Sequence, residues 1–104
     1  MSSFDNVTIN RNANIYFDGQ VTSRTVQFYD GETKTLGIML PGEYRFNTES
    51  PELMEIQQGK VLVKLDGQQD WSEYGSGSSF EVPGASAFDI KVESVTDYCC
   101  SYLG

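Results

Sequence analysis

Apolar and polar residues alternate over short stretches of this chain, and turn-forming residues separate the stretches. Val61, Val63 and Leu65 occupy every second position of one stretch, and Tyr44 and Phe46 have the same spacing in another. A period of two is that of a strand with one buried face, and no window keeps the 3.6-residue period of a helix over ten or more positions. The pattern therefore predicts an all-β domain with no substantial helix. The predicted strands are residues 4–9, 20–29, 33–40, 43–48, 54–57, 60–65, 80–82, 88–92 and 97–103.

A repeated turn-and-strand unit organises the chain. Residues 41–46 have the sequence PGEYRF, residues 83–88 have the sequence PGASAF, and each copy follows a short apolar run. Two such units in so short a chain predict a small barrel built from two similar halves. Gly37, within strand 33–40, predicts a bulge or a point of close approach to another part of the backbone or a side chain.

Length and composition indicate one compact core. The chain has 104 residues, which is the length of a single domain, so we expect one domain over residues 1–104. Within it, residues 1–12 are either an edge strand or an N-terminal extension. Hydrophobic residues make up 38% of the chain and include six Phe, six Tyr and one Trp, enough to fill one core.

Charge and cysteine usage narrow the expected partners and compartment. The net charge is -8, with 15 acidic and seven basic residues, which argues against a nucleic-acid polymer and against an anionic membrane surface as partner. The sequence shows neither a signal peptide nor a stretch long enough to cross a membrane. Cys99 and Cys100 are adjacent, and on a strand they would point to opposite faces, so we expect reduced thiols in a cytoplasmic protein.

Histidine is absent from the sequence, which excludes several kinds of catalytic site. Neither a Ser-His nor a Cys-His nucleophile pair can form, and the commonest metal ligand is missing. Without a Cys-x-x-Cys pair a zinc site is not expected either. An all-oxygen magnesium or calcium site stays open, although no run of alternating acidic residues supports one. We therefore expect no metal.

Carboxylates cluster just after the first Pro-Gly unit. Glu49, Glu52 and Glu55 either belong to a solvated turn, which suits Glu49 best, or place one carboxylate in a pocket. If Thr48 points inward, the period of two places Tyr44 and Phe46 inward as well and Arg45 outward. Near the end of the chain Tyr98, Cys100 and Tyr102 share one strand face, where core packing is the ordinary role and a ligand contact is the alternative.

Two segments resemble the conserved motifs of cupins. Gly42, the Thr48-Glu49-Ser50 segment, Glu52 and Gly59 resemble the first motif, and residues 77–84 resemble the second. The resemblance implies a cupin-type small β-barrel, also called a jelly roll. Cupin histidines that bind metal would fall at Thr48, at Ser50 and near Ser86 or Ala87, none of which is histidine here.

A narrower resemblance covers most of the chain. The segment GIMLPGEYRF at 37–46, Trp71 with Tyr74, SFEVPG at 79–84 and YCCSYL at 98–103 are similar to the bacterial pyrimidine/purine nucleoside phosphorylase family. The resemblance implies a pentosyltransferase of the glycosyltransferase type with broad specificity. Such an enzyme cleaves purine and pyrimidine ribonucleosides with phosphate, giving ribose 1-phosphate and a free base. Inorganic phosphate is then a co-substrate, and no cofactor is expected.

Phosphorolysis needs groups that hold phosphate, grip the ribose hydroxyls and stabilise an oxocarbenium-like sugar. The motif positions assign hypothetical roles. Glu52 and Glu55 are the catalytic candidates, through contacts with ribose hydroxyls. The candidate substrate-binding residues are Tyr44, Phe46, Thr48, Ser50, Ser86, Phe88 and Tyr98.

Two other functions remain open for this sequence. One is a non-catalytic cupin that binds a small molecule such as a sugar or a nucleobase. The other is an interaction module that uses the edge of the barrel. A short barrel gains from covering its strand edges, so we expect a homodimer.

Overall fold

The computed structural model describes residues 2–104 and consists of β-strands apart from one 3-10 turn at Phe17–Gly19. Most strands coincide with stretches of alternating or β-branched residues, and turns separate them. The strands are Val7–Ile9 (β1), Asn14–Tyr16 (β2), Val21–Phe28 (β3), Thr33–Met39 (β4), Gly42–Thr48 (β5), Glu52–Gln58 (β6), Lys60–Leu65 (β7), Ser72–Gly75 (β8), Ser78–Val82 (β9), Ser86–Val92 (β10) and Thr96–Tyr102 (β11).

Two antiparallel sheets make up the fold. The major sheet has seven strands in the order β1-β3-β4-β11-β6-β9, with β2 paired to β3, and the minor sheet has four strands in the order β5-β10-β7-β8. One hydrophobic core holds apolar residues from strands of both sheets, including Met39, Ile56, Val61, Phe88 and Ile90. This arrangement confirms the predicted all-β fold, with the two sheets packed around one core rather than closed into a single barrel.

The two copies of the Pro-Gly unit meet in the minor sheet. Their strands, β5 and β10, pair antiparallel with Thr48 opposite Ser86 and Phe46 opposite Phe88. The Thr48 hydroxyl donates to the Pro83 carbonyl oxygen at 2.6 Å and accepts from the Ser86 backbone N–H at 3.1 Å. The repeated sequence therefore forms adjacent strands, and Thr48 joins the turn of the second copy to the end of the first.

The strand predictions differ from the structure at several places. Strand β2 was not predicted, β1 begins three residues later than predicted, and β9 and β10 each begin two residues earlier. Ser72–Gly75 forms a strand where the sequence predicted an irregular connection, because its pairing with β7 compensates for the absence of an apolar alternation. Strand β6 begins at Glu52, two residues earlier than predicted, directly after Pro51. Because β6 begins at Glu52, this residue takes part in the alternation along the strand, which fixes the direction of its side chain. Residues 2–104 contain no helix long and apolar enough to span a membrane.

Candidate functional site

A cavity of about 130 Å³ opens between the two sheets at one end of the core. Tyr16 and Tyr102 are 42% and 37% exposed, so they mark the side on which the cavity meets solvent. Its lining comes from strands of both sheets, including β2 of the major sheet. The lining residues are Tyr16, Ser23, Thr35, Met39, Phe46, Asn47, Glu52, Met54, Phe88, Tyr98, Cys100 and Tyr102.

Aromatic rings form one wall of the cavity. The register of the minor sheet places Phe46 opposite Phe88, and their rings stack with centroids 5.5 Å apart and planes 27° apart. Tyr16 meets Phe46 edge to face at 6.4 Å, and Phe17 meets the same ring at 5.4 Å. Phe46 thus contacts both the buried Phe88 and the exposed Tyr16. An aromatic wall of this kind can stack on a planar base.

Hydroxyl groups form the facing wall, on the inner side of the major sheet. Ser23 on β3 and Tyr98 on β11 are both register partners of Gly37 on β4, and Thr35 is the partner of Cys100. A Cβ atom at Gly37 would lie 2.8 Å from the Tyr98 ring, which therefore lies across the glycine towards β3. The close approach predicted at Gly37 is confirmed, and it brings the Tyr98 hydroxyl into the same region as Ser23.

Burial controls the ionisation of this wall. It raises the pKa of Tyr102 to about 12, with further increases from Cys100 and Glu52 and an offset from the Thr35 hydroxyl, which lowers the pKa. Burial also raises the pKa of Tyr98, and the neighbouring Ser23 hydroxyl offsets part of that rise. Both phenols are therefore protonated at neutral pH and can act as hydrogen-bond donors.

A single carboxyl group lines the cavity, that of Glu52. Period two along β6 places Glu52 on the same face as the buried Met54 and Ile56, and pairing with β11 places it opposite Tyr102. The Cys100 thiol donates to the Glu52 carboxylate, Sγ to Oε1, at 3.4 Å. Burial raises the pKa of Glu52, and the thiol offsets that rise only in part. Burial and the nearby carboxylate raise the pKa of Cys100, so it is a neutral thiol rather than a nucleophile.

Four of the residues predicted from the sequence line the cavity: Glu52, Phe46, Phe88 and Tyr98. Glu55 does not, because it has the opposite parity on β6 and lies opposite Cys99 on the outer face of the major sheet. Tyr44 points inward as predicted, but it lies outside the cavity lining, and its hydroxyl donates to the Leu40 carbonyl oxygen at 2.7 Å.

The remaining predicted residues lie near the Pro-Gly turns. Thr48 is buried and engaged with Pro83 and Ser86, and neither Ser86 nor Ser50 lines the cavity. Ser50 lies in the bend between β5 and β6, close to Gly104. Substrate contacts from these three residues stay predictions, without a position in the cavity to support them.

Ser23, Thr35 and Tyr16 line the cavity but were not predicted as ligands, and for Cys100 and Tyr102 core packing was the ordinary expectation. A signal for Ser23 and Thr35 does exist, because both are hydroxyl residues at inward positions of strands that otherwise bury apolar side chains. Strand assignment alone does not tell which face is inward, so that signal needs the pairing of β3, β4 and β11.

The metal site of cupins does not fit the residues present. Thr48 occupies one histidine position, and its oxygen is engaged with two backbone groups. Within residues 2–104 no group of three or more Cys, Asp or Glu side chains is placed to hold a metal ion. No step of the chemistry below is therefore assigned to a metal.

Comparison with known proteins identifies the family. The family model for pyrimidine/purine nucleoside phosphorylase matches residues 11–102. The pyrimidine/purine nucleoside phosphorylase of Geobacter sulfurreducens is 61% identical over 104 residues, covering 100% of both chains. The chain belongs to the pyrimidine/purine nucleoside phosphorylase family. This confirms the resemblance read from the sequence.

Solved structures show the same fold. A protein of unknown function from Acinetobacter sp. ADP1 superimposes with a TM-score of 0.94 at 43% identity, covering 97% of this chain and 98% of that one. An RmlC-like cupin from Shewanella frigidimarina superimposes with a TM-score of 0.70 at 14% identity, covering 97% and 86%. The second likeness concerns the fold alone, and it shows that this chain has the cupin architecture.

Proposed function

We propose that this protein cleaves purine and pyrimidine ribonucleosides with inorganic phosphate, giving ribose 1-phosphate and the free base. The observation that carries the proposal is the Glu52 carboxylate, held between an aromatic wall and a hydroxyl wall in a chain of this family. The three parts of a nucleoside phosphorolysis, a planar base, a polyhydroxylated sugar and an oxyanion, have matching surfaces in that cavity.

The covalent change is a single displacement at the anomeric carbon. A phosphate oxygen forms a bond to that carbon, the glycosidic C–N bond breaks, and its electron pair leaves on the base nitrogen. The proton that monoanionic phosphate gives up balances the proton that the base takes up. The sugar passes through an oxocarbenium-like state with positive charge near the ring oxygen.

Glu52 suits that transition state for two reasons. Burial penalises its charged form, and the one hydrogen bond that it accepts, from Cys100, is a weak thiol bond. Ribose hydroxyls would supply stronger donors to the same carboxylate, so sugar binding would stabilise its buried charged form. Its negative charge also favours the developing positive charge on the sugar over the neutral ground state.

The size of the cavity bears on base tolerance. A volume of about 130 Å³ is below the roughly 300–1,000 Å³ of pockets that enclose drug-sized ligands. We infer that phosphate and ribose occupy the interior, while the base lies at the opening against Phe46 and Tyr16. Stacking on an aromatic ring discriminates little among bases, which supports broad specificity.

We also expect a cytoplasmic homodimer, as the sequence predicted. Each sheet ends in two terminal strands, β1 and β9 in the major sheet and β5 and β8 in the minor sheet, and pairing with a second copy would cover such an edge. Light scattering at micromolar concentration tests the oligomeric state, and a monomer would remove this part of the proposal.

The function is tested by measuring ribose 1-phosphate release from uridine and adenosine, with and without phosphate, after dialysis against a chelator. We expect phosphate-dependent turnover of both nucleosides that survives the chelator. Binding of nucleoside without any turnover would refute the proposal and support the non-catalytic binding cupin instead.

A further inference from the structure

We propose that Ser23, Thr35, Tyr98 and Tyr102 form the phosphate subsite and bind the oxyanion through neutral hydroxyl donors rather than through a cation. We call these four side chains the hydroxyl cage. The inference rests on the proposed function and deepens it, because it assigns the binding of one of the two substrates to named residues. It goes beyond the sequence prediction, which named Tyr98 as a candidate ligand, gave a ligand contact only as the alternative for Tyr102, and did not include Ser23 or Thr35.

The cage is built by three neighbouring strands of the major sheet. β4 lies between β3 and β11, so Ser23, Thr35 and the two tyrosines all project from adjacent strands. Three of these side chains are almost fully buried: Ser23 is 4% exposed, and Thr35 and Tyr98 are each 5% exposed. Packing therefore restricts the positions of their hydroxyls. Several donors fixed around one small volume are what a tetrahedral oxyanion requires.

Asn14 orients part of the cage from the side of β2. Its side-chain amide donates to the Ser23 hydroxyl at 3.2 Å and to the Thr25 hydroxyl at 3.1 Å. Because Ser23 accepts from Asn14, its own proton is directed elsewhere, and the neighbouring Tyr98 oxygen can accept it. The Tyr98 proton is then left to point into the cavity. A phosphate oxygen placed there would receive that hydrogen bond.

No residue that lines the cavity carries a positive charge that could bind phosphate. None of its twelve residues is Lys or Arg. On the outer face of the minor sheet Arg45 pairs with Asp89 at 3.1 Å and Asp66 at 3.2 Å, and Lys91 and Lys64 lie over the Trp71 ring at 4.3 and 5.0 Å. Any phosphate bound inside the cavity of this chain must therefore be satisfied by neutral donors.

Glu52 lies beside the cage, where it could hold the sugar next to a bound phosphate. Cys100 lies between Tyr98 and Tyr102 along β11 and directly opposite Thr35, and its thiol contacts Glu52. The carboxylate thus borders the cage at Cys100 and, through the pairing of β6 with β11, at Tyr102. A ribose held by Glu52 would have its anomeric carbon on the side from which a caged phosphate can attack.

Conservative variants test the cage through steady-state kinetics. Thr35→Val and Tyr98→Phe each remove one hydroxyl and keep the shape of the side chain. A hydrogen bond to a charged group contributes enough that we expect KM for phosphate to rise on the order of tenfold in each, with KM for uridine changed less than about threefold. Tyr74→Phe, which removes a tyrosine hydroxyl outside the cavity, is the matched control and should leave both constants unchanged.

Tyr102→Phe keeps the test decisive if a buried variant fails to fold, because Tyr102 is 37% exposed. A rise in phosphate KM for this variant supports the cage. A rise in uridine KM with unchanged phosphate KM, in the folded variants, overturns it and shows that the hydroxyl wall holds the nucleoside.

Titration with inorganic phosphate alone separates this inference from the proposed function. We expect phosphate to raise the melting temperature of the wild-type protein and to raise it less in Thr35→Val and Tyr98→Phe. If the wild type releases no ribose 1-phosphate, the proposed function fails, yet this titration still decides the cage. An equal increase in the wild type and the variants, or no increase in the wild type, overturns the cage even if turnover is present.

Discussion

Thr48→Val tests whether the hydroxyl that joins the two Pro-Gly units stabilises the fold. Valine has nearly the shape of threonine, so the change removes hydrogen bonds without opening a cavity. The Pro83 carbonyl oxygen and the Ser86 backbone N–H both lose their partner, at a residue that is only 5% exposed. Leaving a buried polar group unpaired costs about 1–3 kcal/mol. Because Pro83 is exposed, water can replace the partner of its carbonyl oxygen, so we expect a loss of about 1–3 kcal/mol.

Equilibrium unfolding in urea measures that loss, with an unchanged m value as the sign that only stability has changed. Thr48→Ser is the control. It keeps the hydroxyl, so it should retain most of the free energy of unfolding that Thr48→Val loses. The structural role also predicts that kcat/KM of folded Thr48→Val stays within about threefold of the wild type, because Thr48 does not line the cavity. A stability change below about 0.5 kcal/mol, or a large loss of activity in a fully stable variant, would refute the reasoning.

Three further substitutions have defined outcomes. Gly37→Ala places a Cβ against the Thr22 carbonyl oxygen and 2.8 Å from the Tyr98 ring, so we expect a loss of at least about 2 kcal/mol in urea unfolding, and an unchanged midpoint would contradict that contact. Phe46→Ala removes the stacking ring at the opening, so KM for nucleosides should rise roughly tenfold while KM for phosphate stays the same; equal effects on both would contradict the assignment of the base. Glu52→Gln should be more stable than the wild type at pH 7, because a raised pKa means that folding disfavours the charged carboxylate. That gain should vanish as the pH falls below the unfolded pKa of 4.5, and a gain independent of pH would show that burial of charge is not its cause.

Local patterns were sufficient to predict most strands. β7 matches its predicted bounds, and the inward direction of Tyr44 and Phe46 followed correctly from the period of two. Arg45 points outward as predicted and lies in an ion pair with Asp89. These features depend on a few neighbouring residues, so sequence alone could specify them.

The candidate site depends on pairing between distant strands, which local patterns do not specify. Glu52 and Glu55 were equivalent in sequence because Pro51 interrupts the alternation that began at Thr48. Only the pairing of β6 with β11 shows that Glu52 faces the cavity and Glu55 faces away. Ser23 and Thr35 likewise become neighbours of Tyr98 only through the order β3-β4-β11.

The two glutamates provide the most direct test of the claim that the reaction occurs in the cavity between the sheets. The measurement is kcat/KM for phosphate-dependent ribose 1-phosphate release from uridine, in Glu52→Gln and in Glu55→Gln, after both variants are shown to be folded. Loss of a charged hydrogen-bond acceptor for the sugar predicts a roughly 10- to 100-fold decrease for Glu52→Gln and little change for Glu55→Gln. Full activity in Glu52→Gln, or a larger decrease in Glu55→Gln, would contradict the account and place the reaction elsewhere on the protein.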